Sequence, residues 1–186
     1  MENIEECEYK ILISIQPKWC ELIASGKKTI EVWKTRPKIE TPSKVYIYCT
    51  TDKRLLRKFD KGERIDDEHF FDEHVFVRQN TWIRGHLNPN KKVIGEFVCD
   101  NIFPIRVFEN GSIQDYMFNR IERSCVTYED IANYIGNYKT GYGWHISDLK
   151  IYDKPKELSE FSKYGFGKPV PLKRPPQSWM YVEENR

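Results

Sequence analysis

The residues best suited to chemistry lie close together between positions 26 and 38. Lys28 and Glu31 follow Gly26 and are three residues apart. A lysine beside a carboxylate can bind a phosphate or act as an activated amine next to a base. A structural ion pair that fixes the turn is the alternative. Near them in sequence are one tryptophan and several cations, which suit stacking on a base and contact with phosphates: Lys27, Trp33, Lys34, Arg36 and Lys38.

Three local elements position these side chains. The apolar run 11–15 predicts a strand, and Pro17 favours a helix start because its missing N–H would be unpaired in the first turn anyway. Gly26 predicts the helix end, since glycine enters the left-handed region without steric cost. The β-branched run at residues 29–32 then predicts a second strand. The expected unit is strand, helix, tight turn, strand.

This unit resembles the signature of ASCH domains, which belong to the PUA-like superfamily. The pattern Gly26-x-Lys28-x-x-Glu31 follows Ser14-Ile15-x-Pro17, as in the family pattern G-x-K-x-x-E-x-[RK]. The chain departs at the last position, which Trp33 occupies, and the cation comes as Lys34. Residues 143–147 (GWHIS) and 175–179 (PPQSW) are also similar to segments of phage and bacterial ASCH proteins. The resemblance covers residues 9–50, 91–105 and 140–183.

The resemblance implies an α+β fold, a small PUA-like (ASCH) mixed β-barrel flanked by short helices. A chain of 186 residues is most simply one domain, here 1–186, with an insertion or long loop around residues 52–90. Further strands are expected at 45–50, at 91–99 with a continuation towards 105, at 144–152 with Pro155 ending it, and at 178–182. Asn110-Gly111 predicts a hairpin turn. Thr127 and Gly136 are expected to begin and end a second helix.

The resemblance also implies a ligand cleft between the barrel and the first helix. Some ASCH-like proteins are acetylcytidine amidohydrolases, in which the catalytic lysine falls at the place of Lys28 and a catalytic threonine at the place of Glu31. Glu31 replaces that threonine here, which argues against transferring the activity. Another ASCH-like group has been described as ribonucleases. If the chain is an enzyme, Lys28 and Glu31 are the expected catalytic residues.

Aromatic and polar side chains complete the predicted nucleic-acid site. Tryptophans offer stacking surfaces for bases, each worth about 1–3 kcal/mol, and hydrogen bonds to the base edge then select the base. Packing in the core is the alternative for every tryptophan. The predicted set comprises the walls Trp33, Trp144 and Trp179, the edge readers Ser14, Gln16 and His145, and the phosphate contacts Lys27, Lys28, Lys34 and Arg36.

Charge and cysteine usage narrow the class of protein. The net charge of +2 does not identify a nucleic-acid binder, but residues 17–58 hold eleven Lys/Arg against four Asp/Glu, whereas residues 59–77 hold seven Asp/Glu against two Lys/Arg. This asymmetry indicates a local basic patch. Five scattered cysteines without a Cys-x-x-Cys pair are typical of a reducing cytoplasm. No signal peptide, membrane span, cofactor motif or metal-ligand cluster is visible, so we expect a cytoplasmic protein without cofactor or metal.

Three functions remain open on the sequence. The first is binding of RNA, or less favourably DNA, in a basic cleft walled by aromatic rings, with RNA, a nucleotide or a modified nucleoside as partner. The second is a hydrolase acting on modified nucleosides, or a ribonuclease, in the same cleft. The third is a protein-interaction adaptor of phage or bacterial origin that uses residues 52–90. The sequence leaves the oligomeric state open.

Overall fold

The computed structural model describes residues 10–50, 91–114, 120–137, 139–165 and 168–185. The α-helices are α1 (Pro17–Ala24) and α2 (Tyr128–Ile135), and short 3₁₀ turns cover Ile121–Ser124 and Leu158–Glu160. The strands are β1 (Lys10–Ile15), β2 (Ile30–Trp33), β3 (Ser43–Cys49), β4 (Lys92–Cys99), β5 (Ile102–Val107), β6 (Ile113–Gln114), β7 (Thr140–His145), β8 (Ser147–Glu157), β9 (Phe161–Lys163) and β10 (Trp179–Glu184). The predicted insertion at 52–90 lies outside the described residues. None of the helices in the described ranges is long and apolar enough to cross a membrane.

The described strands form two sheets. The six-stranded sheet has the order β8-β4-β3-β1-β10-β9, and the four-stranded sheet has the order β2-β7-β5-β6. β1 and β3 are parallel, and their connection contains α1 and β2. The α+β class is therefore confirmed, whereas a closed barrel is not confirmed by the strand pairing of the described residues.

Three apolar clusters follow from the strand alternation. One face of β1 and β3 packs with α1 and with Trp33 and Trp144 of the smaller sheet. The opposite face of the large sheet packs Leu12 and Tyr46 against Phe161. Ile30 and Val32 of β2, with residues of β5, pack against α2. β2 thus separates two layers, and its alternate residues Glu31 and Trp33 point away from α2 because successive strand side chains face opposite sides.

Local signals predicted several element ends correctly. α1 begins at Pro17, and Gly26 follows it with a φ of 74°. Thr127 caps α2, since its Oγ1 accepts the Asp130 N–H at 3.1 Å, and Gly136 follows the last helical residue. The hairpin between β5 and β6 contains Asn110-Gly111, as expected.

Two strand predictions were wrong. The predicted strand 144–152 is two strands in different sheets, since β7 ends at His145 and β8 begins at Ser147. Pro155 does not end β8, which continues to Glu157. β8 lies at the edge of its sheet, where a residue without an N–H is tolerated. Similarly, β4 ends at Cys99, and β5 begins at Ile102 in the other sheet.

Candidate nucleotide-binding cleft

The candidate site that contains the Lys28–Glu31 pair is a cleft of about 610 Å³ between α1 and α2. Its volume lies within the range of about 300–1,000 Å³ that is typical of small-molecule sites. One wall comes from the end of β1 and from α1, another from β2, and a third from α2 and Val126. Pro176 and Gln177 close one side. The lining residues are Ser14, Ile15, Gln16, Trp19, Lys28, Glu31, Val32, Trp33, Thr50, Val126, Asp130, Ile131, Tyr134, Pro176 and Gln177.

The Lys28–Glu31 pair lies deep in this cleft. Lys28 is 1% exposed, and its Nζ lies 3.2 Å from Glu31 Oε2 and donates to the Ser124 carbonyl at 2.5 Å. The Lys28 N–H donates to the Leu22 carbonyl of α1 at 2.9 Å. Lys28 therefore joins α1 to the turn before α2. The Lys28 ammonium also lies 5.0 Å from the centroid of the Trp19 ring, so it is surrounded by Glu31, the Ser124 carbonyl and a ring that lines the cleft.

Glu31 is held in an unusual electrostatic state. Burial raises its pKa above the usual value of 4.5, while the Lys28 ammonium and the hydrogen bond from it act in the opposite direction. A buried carboxyl whose pKa is displaced by desolvation beside a cation is typical of functional sites. Structural ion pairs also shift pKa values, so the shift alone does not indicate a functional site. The Lys28–Glu31 pair supports one here because both residues also line an open cleft.

Aromatic rings supply the walls, but they are not all the predicted ones. Trp19 is partly buried, packs against the core and also lines the cleft. Trp33 also lines the cleft but is only 7% exposed, so it presents a small part of its ring. Tyr134 of α2 lines the opposite wall and is exposed. Cleft-facing Trp19 and Tyr134 were missed by the sequence analysis.

Trp144 does not form a wall, and this prediction was wrong. It is 0% exposed and lies between Trp33 and Trp179, with ring centroids 6.1 and 6.0 Å away. β7 pairs with β2 so that Trp144 stands opposite Glu31 behind the cleft. Trp179 packs on Trp144, and its Nε1 donates to Thr35 Oγ1 at 3.0 Å. Trp179 therefore supports the Trp33–Trp144 layer rather than lining the cleft.

His145 lies on the other face of β7, away from the cleft. Successive strand residues point to opposite faces, so Trp144 and His145 cannot both face one site. His145 Nδ1 lies 2.6 Å from Asp100 Oδ1, in a separate pocket. Its predicted role in the cleft was wrong for this reason, and the alternation in the sequence was a signal that could have excluded it.

The predicted polar edge readers Ser14 and Gln16 do line the cleft. Ser14 Oγ donates to the Pro176 carbonyl at 2.6 Å, and the Ser14 N–H donates to the Ser178 carbonyl. These bonds place Gln177 beside the end of β1. Gln16 precedes α1, and its exposed side chain makes no capping hydrogen bond. Its amide can both donate and accept towards a ligand.

Three of the four predicted phosphate contacts lie outside the cleft, whereas Lys28 lines it. Lys27, Lys34 and Arg36 are exposed and do not line it. The charged lining residues are Lys28, Glu31 and Asp130, so the interior is not basic. Two exposed lysines nevertheless stand over cleft-lining rings, because Lys18 Nζ lies 4.4 Å from the Trp19 centroid and Lys34 Nζ lies 4.9 Å from the Tyr134 centroid. The positive charge is therefore at the mouth.

No metal-binding cluster is found within these ranges. No group of three His, Cys, Asp or Glu side chains among the described residues is placed to hold a metal ion. The four cysteines in the described part form no disulfide bond, and Cys20, Cys49 and Cys99 are buried.

Comparison with solved structures identifies the fold. No protein-family model and no curated protein matches the sequence. Crystal structures of ASCH proteins from Zymomonas mobilis do match, each at 18% identity. They are a Ser-to-Ala mutant of ZmASCH (TM-score 0.56, covering 94% of this chain and 88% of that chain), a Tyr-to-Phe mutant of ZmASCH (TM-score 0.55, 94% and 90%) and an ASCH structure (TM-score 0.50, 94% and 87%). The chain therefore has the fold of an ASCH domain, as its sequence resemblance predicts. The similarity covers nearly the whole length of both chains.

Proposed function

We propose that this protein binds RNA, or a nucleotide or modified nucleoside, by taking one base into the cleft between α1 and α2. The observation that carries the proposal is the buried Lys28–Glu31 pair at the bottom of a cleft lined by Trp19 and Tyr134. An ammonium and a carboxylate side by side offer a donor and an acceptor, which is the pattern that a base edge requires. The aromatic rings supply faces on which a base can stack.

The charge at the mouth supports a ligand that carries phosphates. Lys18 and Lys34 stand over rings that line the cleft, so a base between these rings would bring its phosphates near both ammonium groups. Phosphate contacts supply affinity without base selectivity. The two levels of the site thus suit the two parts of a nucleotide, with the neutral base inside and the anionic backbone outside.

The direct test is binding of cytidine, acetylcytidine and a short single-stranded RNA to the purified protein. For the RNA, removal of one phosphate contact in Lys18→Gln or Lys34→Gln should reduce the slope of log K against log salt by about 0.7. Lys154→Gln, an exposed lysine on β8, is the matched control. Slopes that are equal in all four proteins would contradict the role of the mouth lysines.

Nucleoside binding tests the cleft itself. Phe108→Leu serves as the aromatic control, because Phe108 is 47% exposed and lies beyond the end of β5, outside the cleft. Trp19→Leu should weaken nucleoside binding because Trp19 lines the cleft, whereas Phe108→Leu should leave it unchanged. If neither nucleosides nor RNA bind the wild-type protein at low salt, the proposal is wrong.

Hydrolysis of a modified nucleoside is the second candidate, and the raised pKa of Glu31 favours it. Burial raises the pKa of Glu31, so its carboxyl can act as a general acid at a higher pH than an ordinary glutamate. A threonine nucleophile is not supplied by Thr29, whose buried Oγ1 is not among the atoms that line the cleft. Ser14 and Thr50 are hydroxyl side chains that do line the cleft, so the nucleophile of such a reaction would be one of these hydroxyls, Lys28 or water.

Mass spectrometry of acetylcytidine and of RNA after incubation separates the candidates. Deacetylated product or cleaved RNA that disappears in Glu31→Gln would establish a hydrolase or ribonuclease. Intact substrates together with salt-dependent RNA retention would establish a binding protein. The adaptor alternative depends on residues 52–90, which lie outside the described ranges.

A further inference from the structure

A second, smaller pocket lies on the face of the four-stranded sheet that His145 occupies. It has a volume of about 230 Å³ and is lined by residues of β2, β5 and β7, of the β4–β5 connection, and of the turn at Ile121–Ser124. Its charged side chains are two arginines, one histidine and one aspartate: Arg120, Arg123, His145 and Asp100. With a neutral histidine their formal charge is +1, so the pocket is basic where the cleft interior is not.

The histidine is oriented by its neighbour. His145 Nδ1 lies 2.6 Å from Asp100 Oδ1, and an ionised carboxylate can only accept, so Nδ1 carries the proton. The His145 N–H also donates to the Asn101 carbonyl at 2.9 Å, which fixes the backbone beside Asp100. The aspartate is thereby engaged by the histidine. This leaves the two guanidinium groups as the strongest unengaged charges among the lining residues.

Both arginines are held by one helical turn. The Arg123 N–H donates to the Arg120 carbonyl at 3.1 Å, which places the two residues at the i and i+3 positions of a tight turn. The Arg120 guanidinium lies 5.2 Å from the Phe103 ring centroid, and stacking on a ring leaves the N–H edges of a guanidinium available. Two such donor forks on one side of a pocket match the geometry of a phosphate.

The same turn also belongs to the cleft. The Ser124 carbonyl accepts from Lys28 Nζ, and the Arg123 carbonyl accepts from the Thr29 N–H at 3.0 Å. On β2, Ile30 lines the second pocket and the next residue, Glu31, lines the cleft. The two sites are therefore neighbours on opposite faces of β2, joined by the Ile121–Ser124 turn, and a nucleic-acid strand that occupies both must pass around this turn.

We infer that the Arg120–Arg123–His145 pocket binds a backbone phosphate of the RNA strand whose base occupies the cleft. This rests on the proposed function for the identity of the strand. The volume of about 230 Å³ lies below the range of about 300–1,000 Å³ that is usual for small-molecule sites, and a small pocket of this kind suits one phosphate group. The pocket supplies affinity and sets the direction of the strand, and the cleft selects the base.

The experiment compares wild-type protein with Arg120→Gln/Arg123→Gln. Arg106→Gln is the matched control, since Arg106 is exposed at the other end of the same sheet, opposite Thr140 in the β5–β7 pairing. The double variant should bind short single-stranded RNA about tenfold more weakly or worse at low salt, and the magnitude of its salt slope should fall by about 0.7. Cytidine binding should be unchanged in all three proteins.

Two further measurements are needed. The first distinguishes loss of a phosphate contact from a folding defect, and the second distinguishes an RNA phosphate from free phosphate as the ligand. Arg123→Lys retains the charge, so it should keep the wild-type salt slope and lose part of the affinity. Inorganic phosphate should shift the His145 ring resonances in wild-type protein and not in the double variant. If phosphate shifts them while the RNA slope is unchanged in the double variant, the pocket takes free phosphate and the inference is overturned.

The remaining outcomes are also decisive. Equal RNA slopes with no phosphate effect on His145 would overturn the inference while leaving the cleft proposal intact. Conversely, a reduced RNA slope in the double variant of a protein that binds no cytidine would support the phosphate pocket and refute the cleft as the base site.

Discussion

Replacing Lys28 with methionine removes one charge of a buried pair and leaves the other in place. Lys28 is 1% exposed and contacts both Glu31 Oε2 and the Ser124 carbonyl. Breaking a buried pair by removing one partner costs about 3–5 kcal/mol, and the buried acceptor left without its donor adds about 1–3 kcal/mol. Because domains are stable by about 5–15 kcal/mol, Lys28→Met should lose a large share of the free energy of unfolding at neutral pH.

The loss should depend on pH, with a sign fixed by Glu31. Its folded-state pKa is already raised by burial, and Lys28 is the main influence in the opposite direction. Without Lys28 the pKa of Glu31 rises further. A folded-state pKa above the unfolded one contributes stability that is fully present below the unfolded value and is lost as pH rises through the folded one. Lys28→Met should therefore be least destabilised in acid and lose stability more steeply than wild type towards neutral pH.

Urea unfolding measures this pH dependence of the lost stability. The range from about pH 4 to pH 8 brackets the titration of a carboxyl with a raised pKa. The wild-type protein, Lys28→Met, Glu31→Gln and the double variant form a thermodynamic cycle. The double variant removes the uncompensated charge, so it should recover most of the stability lost at neutral pH. A loss in Lys28→Met that is independent of pH, or a double variant as unstable as Lys28→Met, would refute the reasoning.

Three further predictions follow from local geometry. Trp19→Leu should weaken cytidine binding about 5- to 150-fold, the equivalent of about 1–3 kcal/mol of stacking, and calorimetry measures this without the lost fluorophore; unchanged affinity would exclude the ring as a stacking wall. Gly143→Ala should lower the unfolding free energy by about 1–3 kcal/mol, since its Cβ would lie 2.3 Å from Phe103 Cζ; an unchanged urea midpoint would contradict this. Iodoacetamide should modify exposed Cys125 before buried Cys99, whose pKa burial raises to about 12; peptide mass spectrometry would show the reverse order if the burial is wrong.

The local part of the structure was predictable because its signals act over a few residues. Pro17 and Gly26 limit α1, and Thr127 and Gly136 limit α2, through capping chemistry that depends on the residue itself. The Gly26–Lys28–Glu31 spacing also indicated where the charged pair of the cleft would lie. The depth of the pair within the cleft depends on Ser124, which is 96 residues away from Lys28 in the chain.

The tryptophans show why the rest of the site could not be predicted. Whether Trp19, Trp33 or Trp144 faces a ligand depends on which layer covers each ring, and strand or helix periodicity does not specify that layer. The cover comes from β10 behind Trp144 and from α2 opposite Trp19. Both elements are distant in sequence, so their contacts depend on sheet register.

The amino-acid order alone therefore fixed the strand–helix–turn–strand unit, the second helix and the position of the Lys28–Glu31 pair, since propensity, capping and spacing are local properties. Long-range packing decides that Trp144 lies in the core, that His145 lies in a second pocket with Asp100, and that Tyr134 lines the cleft. The physical reason is that a pocket exists between elements, and its shape is set by the pairing of β2 with β7 and by the packing of α2 on β2. Neither the β2–β7 pairing nor the packing of α2 on β2 can be predicted from the residues of one of the two elements alone.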